Sequence, residues 1–421
     1  MAVDTPARIA VLGAGPIGLE AALYARFLGY DVDVYEQGEV AEHIRDWGHV
    51  QMFSPFGMNR SALGLAALSA QSTRWQSPAD DACLTGREFR EQYLLPLAGS
   101  DLISDQIHTG TRVLGVSRDG PLKGDLLGDE EREDWLFRLL LADRDGRERI
   151  ATADVVLDTT GTYSQPAALG SGGLPALGER AARANIEYGL PDVLGAARSR
   201  YAGRRTAVIG SGYSAATTIV ALSQLAAQTP GTEVVWIYRH QRETPLARIE
   251  NDRLPLRDQL AQAANELAAQ PPAWLNMHRD TMVEEVTSSG PSGPVTLRLA
   301  GEPETNVEVD QIVAHVGFKP DLEMIRELQF HPCYASEGPI KLAAQLLSQT
   351  SADCLDQPSA GAQALLTPEP HFYVLGSKSY GRSSQFLLTT GLTQIRDVFS
   401  IIGDRADLDL YASVGSGSLG K

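Results

Sequence analysis

Two short segments of the 421-residue chain carry the residue types that phosphate chemistry needs. The first is Gly13-Ala14-Gly15-Pro16-Ile17-Gly18. Gly13 permits a tight turn, Gly15 lets a pyrophosphate approach the backbone, and Gly18 lets a helix pack closely on a strand. The N–H groups and positive dipole end of that helix would face the phosphates. Glu36 follows where a carboxylate can accept hydrogen bonds from a ribose diol and repel a 2′-phosphate. The second segment is Gly210-Ser211-Gly212-Tyr213-Ser214-Ala215. Ala215 replaces the third glycine, a variant this fingerprint allows. Arg239 is read at the position that Glu36 holds in the first copy. A cation there suits the extra phosphate of NADPH, and Arg242 could assist.

These residues need strand–turn–helix frames. Arg8 to Leu12 is a short apolar run suited to a buried strand, and Leu19 to Leu28 reads as a helix stopped by Gly29. Asp31 to Tyr35 alternates like a strand and delivers Glu36. In the second copy the strand is Arg205 to Ile209, the helix about 216–227, and the next strand Val234 to Tyr238. Each copy is followed by a β-meander pattern that returns to a final buried strand. The returns are Ala153 to Gly161 and Val309 to Gly317. The chain therefore carries two nucleotide-binding modules of one design. Turns are expected at 119–121 and 290–294, and a Gly/Ser-rich flexible tail at 413–421.

Length alone sets two or three domains. The net charge of −17 argues against a nucleic-acid partner and an anionic membrane surface. No apolar run reaches the length of a membrane span, and no signal peptide is read at the start, so a cytoplasmic location is expected. Cys83, Cys333 and Cys354 are too few and scattered for a disulfide framework, and no CxxC is present. His331 and His371 are spaced too irregularly for a metal site, and no metal is expected. GxSxG is absent.

One module ending in Glu and one ending in Arg resembles the two-dinucleotide-binding flavoproteins. That group spans thioredoxin-reductase-like enzymes, flavin-containing monooxygenases and N-hydroxylating monooxygenases. The resemblance implies FAD in the first module and NADPH in the second. Leu157-Asp158-Thr159-Thr160-Gly161 is similar to the group's ATG segment, and Gly317-Phe318-Lys319-Pro320-Asp321 to its second return. Leu375-Gly376-Ser377-Lys378 resembles the late segment near the flavin ribityl chain, with Ser377 where the group has Asp. A helix from about 384 to 399, with Gln385 in its first turn, would aim its N-terminus at the flavin. The implied fold is α/β, with two doubly wound, three-layer Rossmann-like domains, each with a β-meander. The FAD domain is discontinuous, 1–165 and 318–412. A helical connection, 166–200, and the NADPH domain, 201–317, are inserted into it.

Flavin chemistry asks little of side chains, because the cofactor carries the redox step. His49, Lys378, Tyr380 and Arg382 are candidates for contact with flavin or substrate. The leading expectation is an NADPH-driven FAD monooxygenase. It would form a flavin C4a-hydroperoxide with O2 and oxygenate a small N, S or carbonyl substrate. The lack of a CxxC dithiol favours it. The F-x-G-x-x-x-H fingerprint of flavin-containing and Baeyer–Villiger monooxygenases is missing from Glu187 to Leu194. Two alternatives stand beside it: a reductase passing electrons to a disulfide, quinone or partner protein, and a nucleotide-binding redox sensor. The pattern leaves the oligomeric state open.

Overall fold

The computed structural model describes residues 2–72, 74–290, 293–301, 305–348, 353–356 and 359–415. They form two compact units: the chain up to Gln165 together with Phe318 onward, and Pro166–Gly317.

The first unit begins with β1 (Arg8–Leu12), helix α1 (Pro16–Leu28) and β2 (Asp31–Tyr35). Pro16 sits where its missing N–H costs nothing, and Gly29 closes the helix at φ +89°, donating to the carbonyls of Ala25 and Arg26. β3 (Ile107–His108) adds an edge strand. The meander follows as β4 (Arg112–Arg118), β5 (Phe137–Ala142) and β6 (Glu148–Ala153), and β7 (Val155–Asp158) returns to the sheet.

The second unit repeats the plan. β8 (Ile186–Glu187) comes first, then β9 (Arg205–Ile209), helix α2 (Tyr213–Gln228) and β10 (Glu233–Ile237). Helix α3 (Pro255–Ala269) leads to β11 (Leu275–His278). The meander is β12 (Val283–Ser288), β13 (Val295–Leu299) and β14 (Thr305–Val309), and β15 (Gln311–Ala314) returns. The chain then re-enters the first unit, adding β16 (Phe372–Val374) and helix α4 (Leu388–Ile402).

The main sheets run β16-β7-β1-β2-β3 and β11-β10-β9-β15-β8, and each is parallel throughout. Residues alternate between faces. Ile9 and Val11 of β1 pack among the helices. Ala10 and Leu12 pack on the meander, against Phe137, Leu139 and Leu141. In the second unit Val208 and Trp236 lie on the helix side, Ala207 and Ile237 on the meander side. Both faces of each sheet are thus covered, which is why these strands read as apolar runs. Each such buried Val, Leu or Ile contributes about 1.5–3 kcal/mol.

Four expectations are corrected. Residues 166–200 are not a helical connection: they lie within the second unit, and Ile186–Glu187 is its edge strand. The carboxylate of Glu179 ties this segment down, accepting from the N–H groups of Leu169 and Ala176 and from Tyr188 Oη at 2.6 Å. Helix α2 starts at Tyr213, three residues early, because Gly212 already caps it. Helix α4 starts at Leu388, since Leu387 is extended (φ −117°, ψ 149°). Ser413–Gly415 belong to a last helix, Leu410–Gly415, rather than to a tail. Residues 416–421 lie outside the described residues. No helix of the described residues is long and apolar enough to cross a membrane.

Candidate functional site

The first cradle forms at the C-terminal ends of β1, β7 and β16. Gly13 takes φ +96° and donates its N–H to the Tyr35 carbonyl at 2.8 Å. A Cβ on Gly18 would stand 1.9 Å from the Gly13 oxygen, so α1 can pack on the turn only through a glycine. Gly15 differs: beyond its own chain neighbours, no atom lies within 4 Å of where its Cβ would be. Packing does not explain that glycine, and the open space would admit a phosphate. The Thr159 hydroxyl donates to the Leu12 carbonyl at 2.8 Å and pins the return strand under the turn. Glu36 is fixed at the lip, its carboxylate accepting from Ala14 N at 2.9 Å and Gly38 N at 2.8 Å.

The distant segments converge here. Ser377 Oγ lies 3.4 Å from where a Cβ on Gly161 would stand, and Gly161 has φ +69°. Gly376 (φ +72°) lies against Ile17 and donates its N–H to Gln394 Oε1 at 2.9 Å. Gly13–Gly18, Thr159–Gly161 and Gly376–Ser377 thus ring one crevice at the carboxyl ends of parallel strands, the place such sheets hold ligands.

The side-chain candidates fare differently. Lys378 is fully buried, its ammonium 2.6 Å from Asp158 Oδ2 and 3.0 Å from Thr160 Oγ1. It locks β7 to the β16 turn and offers no exposed cation. Tyr380 is buried, edge-on to Phe386, and Arg382 is held by the Glu337 carboxylate at 2.8 and 2.9 Å. His49 is half-buried on its loop. Gln385 precedes α4 by three residues instead of opening it. Cys83, Cys333 and Cys354 all stand as thiols, outside any disulfide. Among the described residues no cluster of three or more His, Cys, Asp or Glu could hold a metal.

The second cradle keeps the frame and changes the chemistry. Gly210 takes φ +121° and donates to the Ile237 carbonyl at 2.9 Å. A Cβ on it would lie 2.2 Å from the His315 oxygen. Gly212, like Gly15, has no atom beyond its chain neighbours within 4 Å of a Cβ position. Tyr213, Ser214 and Ala215 form the first turn of α2. His315 is half-buried against Thr218 Oγ1 at 2.7 Å, and desolvation pushes its pKa down to about 4, so it is neutral.

The register corrects one assignment. Leu12 pairs with Tyr35 and Ile209 with Ile237, so Tyr238, not Arg239, stands where Glu36 stands. Tyr238 is buried, whereas Arg239 and Arg242 are exposed and have no ion-pair partner among the described residues. The contact that Glu36 makes to Ala14 has its counterpart in His240, whose Nε2 shares a hydrogen bond of 2.8 Å with Ser211 Oγ. Burial first, then Arg242 and Arg239, lower the pKa of His240. Trp236 Nε1 donates to the Gly210 carbonyl at 2.8 Å. Trp236 and His240 thus anchor the turn, a role the sequence pattern does not assign to either. The alternation Trp236-x-Tyr238-x-His240 was the available signal, since alternate residues share a face.

No protein-family model matches the chain, and no curated protein matches it. Solved structures do. The chain is similar to the bacillithiol disulfide reductase Bdr from Bacillus cereus at 17% identity, covering 95% of this chain and 99% of that one, with a TM-score of 0.66. It is similar to DfoA bound to FAD, a cadaverine monooxygenase of desferrioxamine biosynthesis from Erwinia amylovora, at 14% identity. That match covers 96% and 95% of the two chains, with a TM-score of 0.63. It is also similar to an ornithine N-hydroxylase from Kutzneria sp. 744 at 15% identity, covering 95% and 99%, with a TM-score of 0.62. The chain therefore shares the α/β fold of these structures, with two Rossmann-like domains.

Proposed function

We propose that this chain is an NADPH-driven FAD oxidoreductase, with FAD in the first cradle and NADPH in the second. One observation carries the reading: two glycine-rich turns in one chain whose middle glycines, Gly15 and Gly212, face open space beyond their chain neighbours. The lips of the two turns then divide the labour. The Glu36 carboxylate suits a ribose diol, and Arg239 with Arg242 suits a 2′-phosphate. Among the similar structures, DfoA is bound to FAD, and the ornithine N-hydroxylase holds reduced FAD and NADP+.

The residues fit the groups they would hold. The N–H groups opening α1 and α2 would bind the pyrophosphates, with the helix dipoles behind them. Gly161 and Gly376 leave room beside Ile17 for the flavin chain. FAD, when bound, supplies the electron and hydride chemistry, and the protein orients and shields it.

Within that reading the reaction is oxygenation of a small N, S or carbonyl substrate. The absence of a CxxC supports it over disulfide reduction. Neighbours of both kinds share the fold, so the chemistry rests on these residues. The purified protein is expected to be yellow and to oxidise NADPH faster than NADH. With its substrate, O2 uptake should yield oxygenated product. Hydrogen peroxide equal to all NADPH consumed, with every substrate tried, would overturn the monooxygenase reading. Loss of turnover in Cys333→Ser or Cys354→Ser would point to a dithiol route instead. A colourless protein that cannot be reconstituted with FAD would overturn the whole proposal.

A further inference from the structure

His240 is the residue that the proposed NADPH cradle places where no charge pattern in the sequence had pointed. One edge of its imidazole is anchored, Nε2 to Ser211 Oγ at 2.8 Å, directly beside the phosphate turn. The other edge is not: Nδ1 is buried without a hydrogen-bond partner. The neighbouring phenol is in the same condition. Tyr238 is 2% exposed, its ring centroid lies 4.9 Å from that of His240, and its Oη has no partner. Arg239 and Arg242 flank the pair and are themselves unengaged by any carboxylate among the described residues. An unpartnered phenol, an unpartnered ring nitrogen and two exposed guanidiniums around a turn describe a site that suits an anion.

We infer that His240 is a proton-coupled specificity residue, taking up a proton from solvent when the nucleotide carries a 2′-phosphate and not when it lacks one. This rests on the assignment of NADPH to the second cradle. The cause is electrostatic. In the free protein Arg239 and Arg242 repel a second charge on the imidazole, and burial disfavours it too. A dianionic phosphate cancels that repulsion. The imidazolium keeps Nε2–H on Ser211 Oγ and gains Nδ1–H as a charge-assisted donor. A nucleotide with a bare ribose brings no charge and leaves His240 neutral. Preference for NADPH over NADH therefore shrinks as pH rises.

The surrounding groups do not supply the same effect. Ser211 and the Tyr238 phenol do not titrate in this range, burial holding the phenol above its ordinary value. Gln241 donates to Asp280 at 2.6 Å. Arg279 donates to the Ala268 carbonyl at 2.7 Å. His278, at the end of β11, is the other imidazole nearby, and burial and Arg205 lower its pKa. The phosphate itself works in the opposite sense. Its second pKa is about 6, so its own ionisation strengthens binding as pH rises. The two contributions separate above pH 7.

The test is calorimetry on the full-length holoprotein with adenosine 2′,5′-bisphosphate and 5′-AMP as probes. Titrations run between pH 7.0 and 8.5 in two buffers of different ionisation heat. The wild type should bind the bisphosphate tighter than 5′-AMP, with net proton uptake. That advantage should fall as pH rises across the range, by up to about threefold if the dianion raises the imidazole's proton affinity tenfold. His240→Gln keeps an N–H donor that cannot titrate. It should retain part of the selectivity with no proton uptake and a flat profile, while His278→Gln should behave like the wild type. Selectivity without proton uptake in the wild type overturns the inference and leaves the NADPH assignment standing. So does an unchanged pH profile in His240→Gln. Should that variant not fold, the wild-type proton count and Ser211→Ala, which removes the anchor but keeps the imidazole, decide the matter. Equal affinity for the two probes at every pH instead overturns the NADPH assignment itself.

Discussion

The two cradles share a backbone and differ in what holds the turn. In the first, the turn is held by main chain and a carboxylate: Gly13 N–H on the Tyr35 carbonyl, and Ala14 N–H on Glu36 at 2.9 Å. In the second, Gly210 N–H finds the equivalent carbonyl of Ile237, and aromatic side chains do the rest. Trp236 donates to the Gly210 carbonyl, and His240 meets Ser211. The lesson is that the strand-to-turn register is fixed by the sheet, while the lip residue is free to vary. In the proposed assignment the lip then selects the ribose: a carboxylate for a free diol, cations and an imidazole for a phosphate.

The glycines sharpen this contrast most. Gly18→Val and Gly210→Val should each cost several kcal/mol, on the order of 3–5. The added side chain meets backbone oxygen at 1.9 Å in one case and 2.2 Å in the other. Denaturant melts would show it. If either substitution proves neutral, the close helix–strand contact is not what fixes the turn.

The units should also respond to pH in opposite directions. Glu20 on α1 is buried, and burial raises its pKa from 4.5 to about 7. The folded state holds its proton more tightly than the unfolded chain. Stability therefore falls as pH rises from about 4.5 and levels off above about 7. His315 is the reverse. Its folded pKa of about 4 lies below the unfolded 6.5, so stability falls as pH drops from 6.5 toward 4. Each effect is bounded at about 3 kcal/mol, since a tenfold difference in proton affinity between folded and unfolded states is worth about 1.4 kcal/mol. In urea melts between pH 4 and 7, Glu20→Gln should remove its share of the fall in stability on raising pH, and His315→Gln its share of the fall on lowering it. A variant whose profile matches the wild type would show that its residue does not set that slope.

Much of this was legible in the sequence. The two turns, their flanking strands and the returning segments at Thr159 and His315 are local patterns, and local patterns survive folding. What could not be read was register. Tyr238 continues the apolar run of β10, so Arg239 reads as the strand-end residue. Only the pairing of Ile209 with Ile237 shows that the ladder stops before Tyr238. Lys378 misled for a related reason. A lysine in a glycine-flanked loop suggests a surface cation. Its partner Asp158 stands 220 residues away, on β7, where no spacing rule reaches. Gln385 failed because helix onset depends on the extended backbone of Leu387, and the upstream residues carry no breaker that announces it.

A smaller effect separates folding from binding. Gly15→Ala and Gly212→Ala add a methyl where no atom beyond the chain neighbours lies within 4 Å. Stability should change by less than about 1 kcal/mol, since a capping glycine is replaced without a clash. Nucleotide affinity should drop about tenfold to a hundredfold, one to two steps of about 1.4 kcal/mol. FAD retention reads the first variant and 2′,5′-bisphosphate binding the second. Affinity that holds in either variant would mean that the open glycine is not a ligand contact. Smaller still, Arg239→Ala should narrow the NADPH-to-NADH preference by about tenfold, the loss of one hydrogen bond to a charged group.

The central claim is that one chain holds two dinucleotides with divided roles. Anaerobic mixing of the purified protein with NADPH, followed at the flavin absorbance, tests it most directly. A yellow protein that bleaches on mixing is the predicted result, faster with NADPH than with NADH, the preference being lost in an Arg239→Ala/Arg242→Ala variant. A protein that retains FAD but is reduced by neither nicotinamide would contradict it.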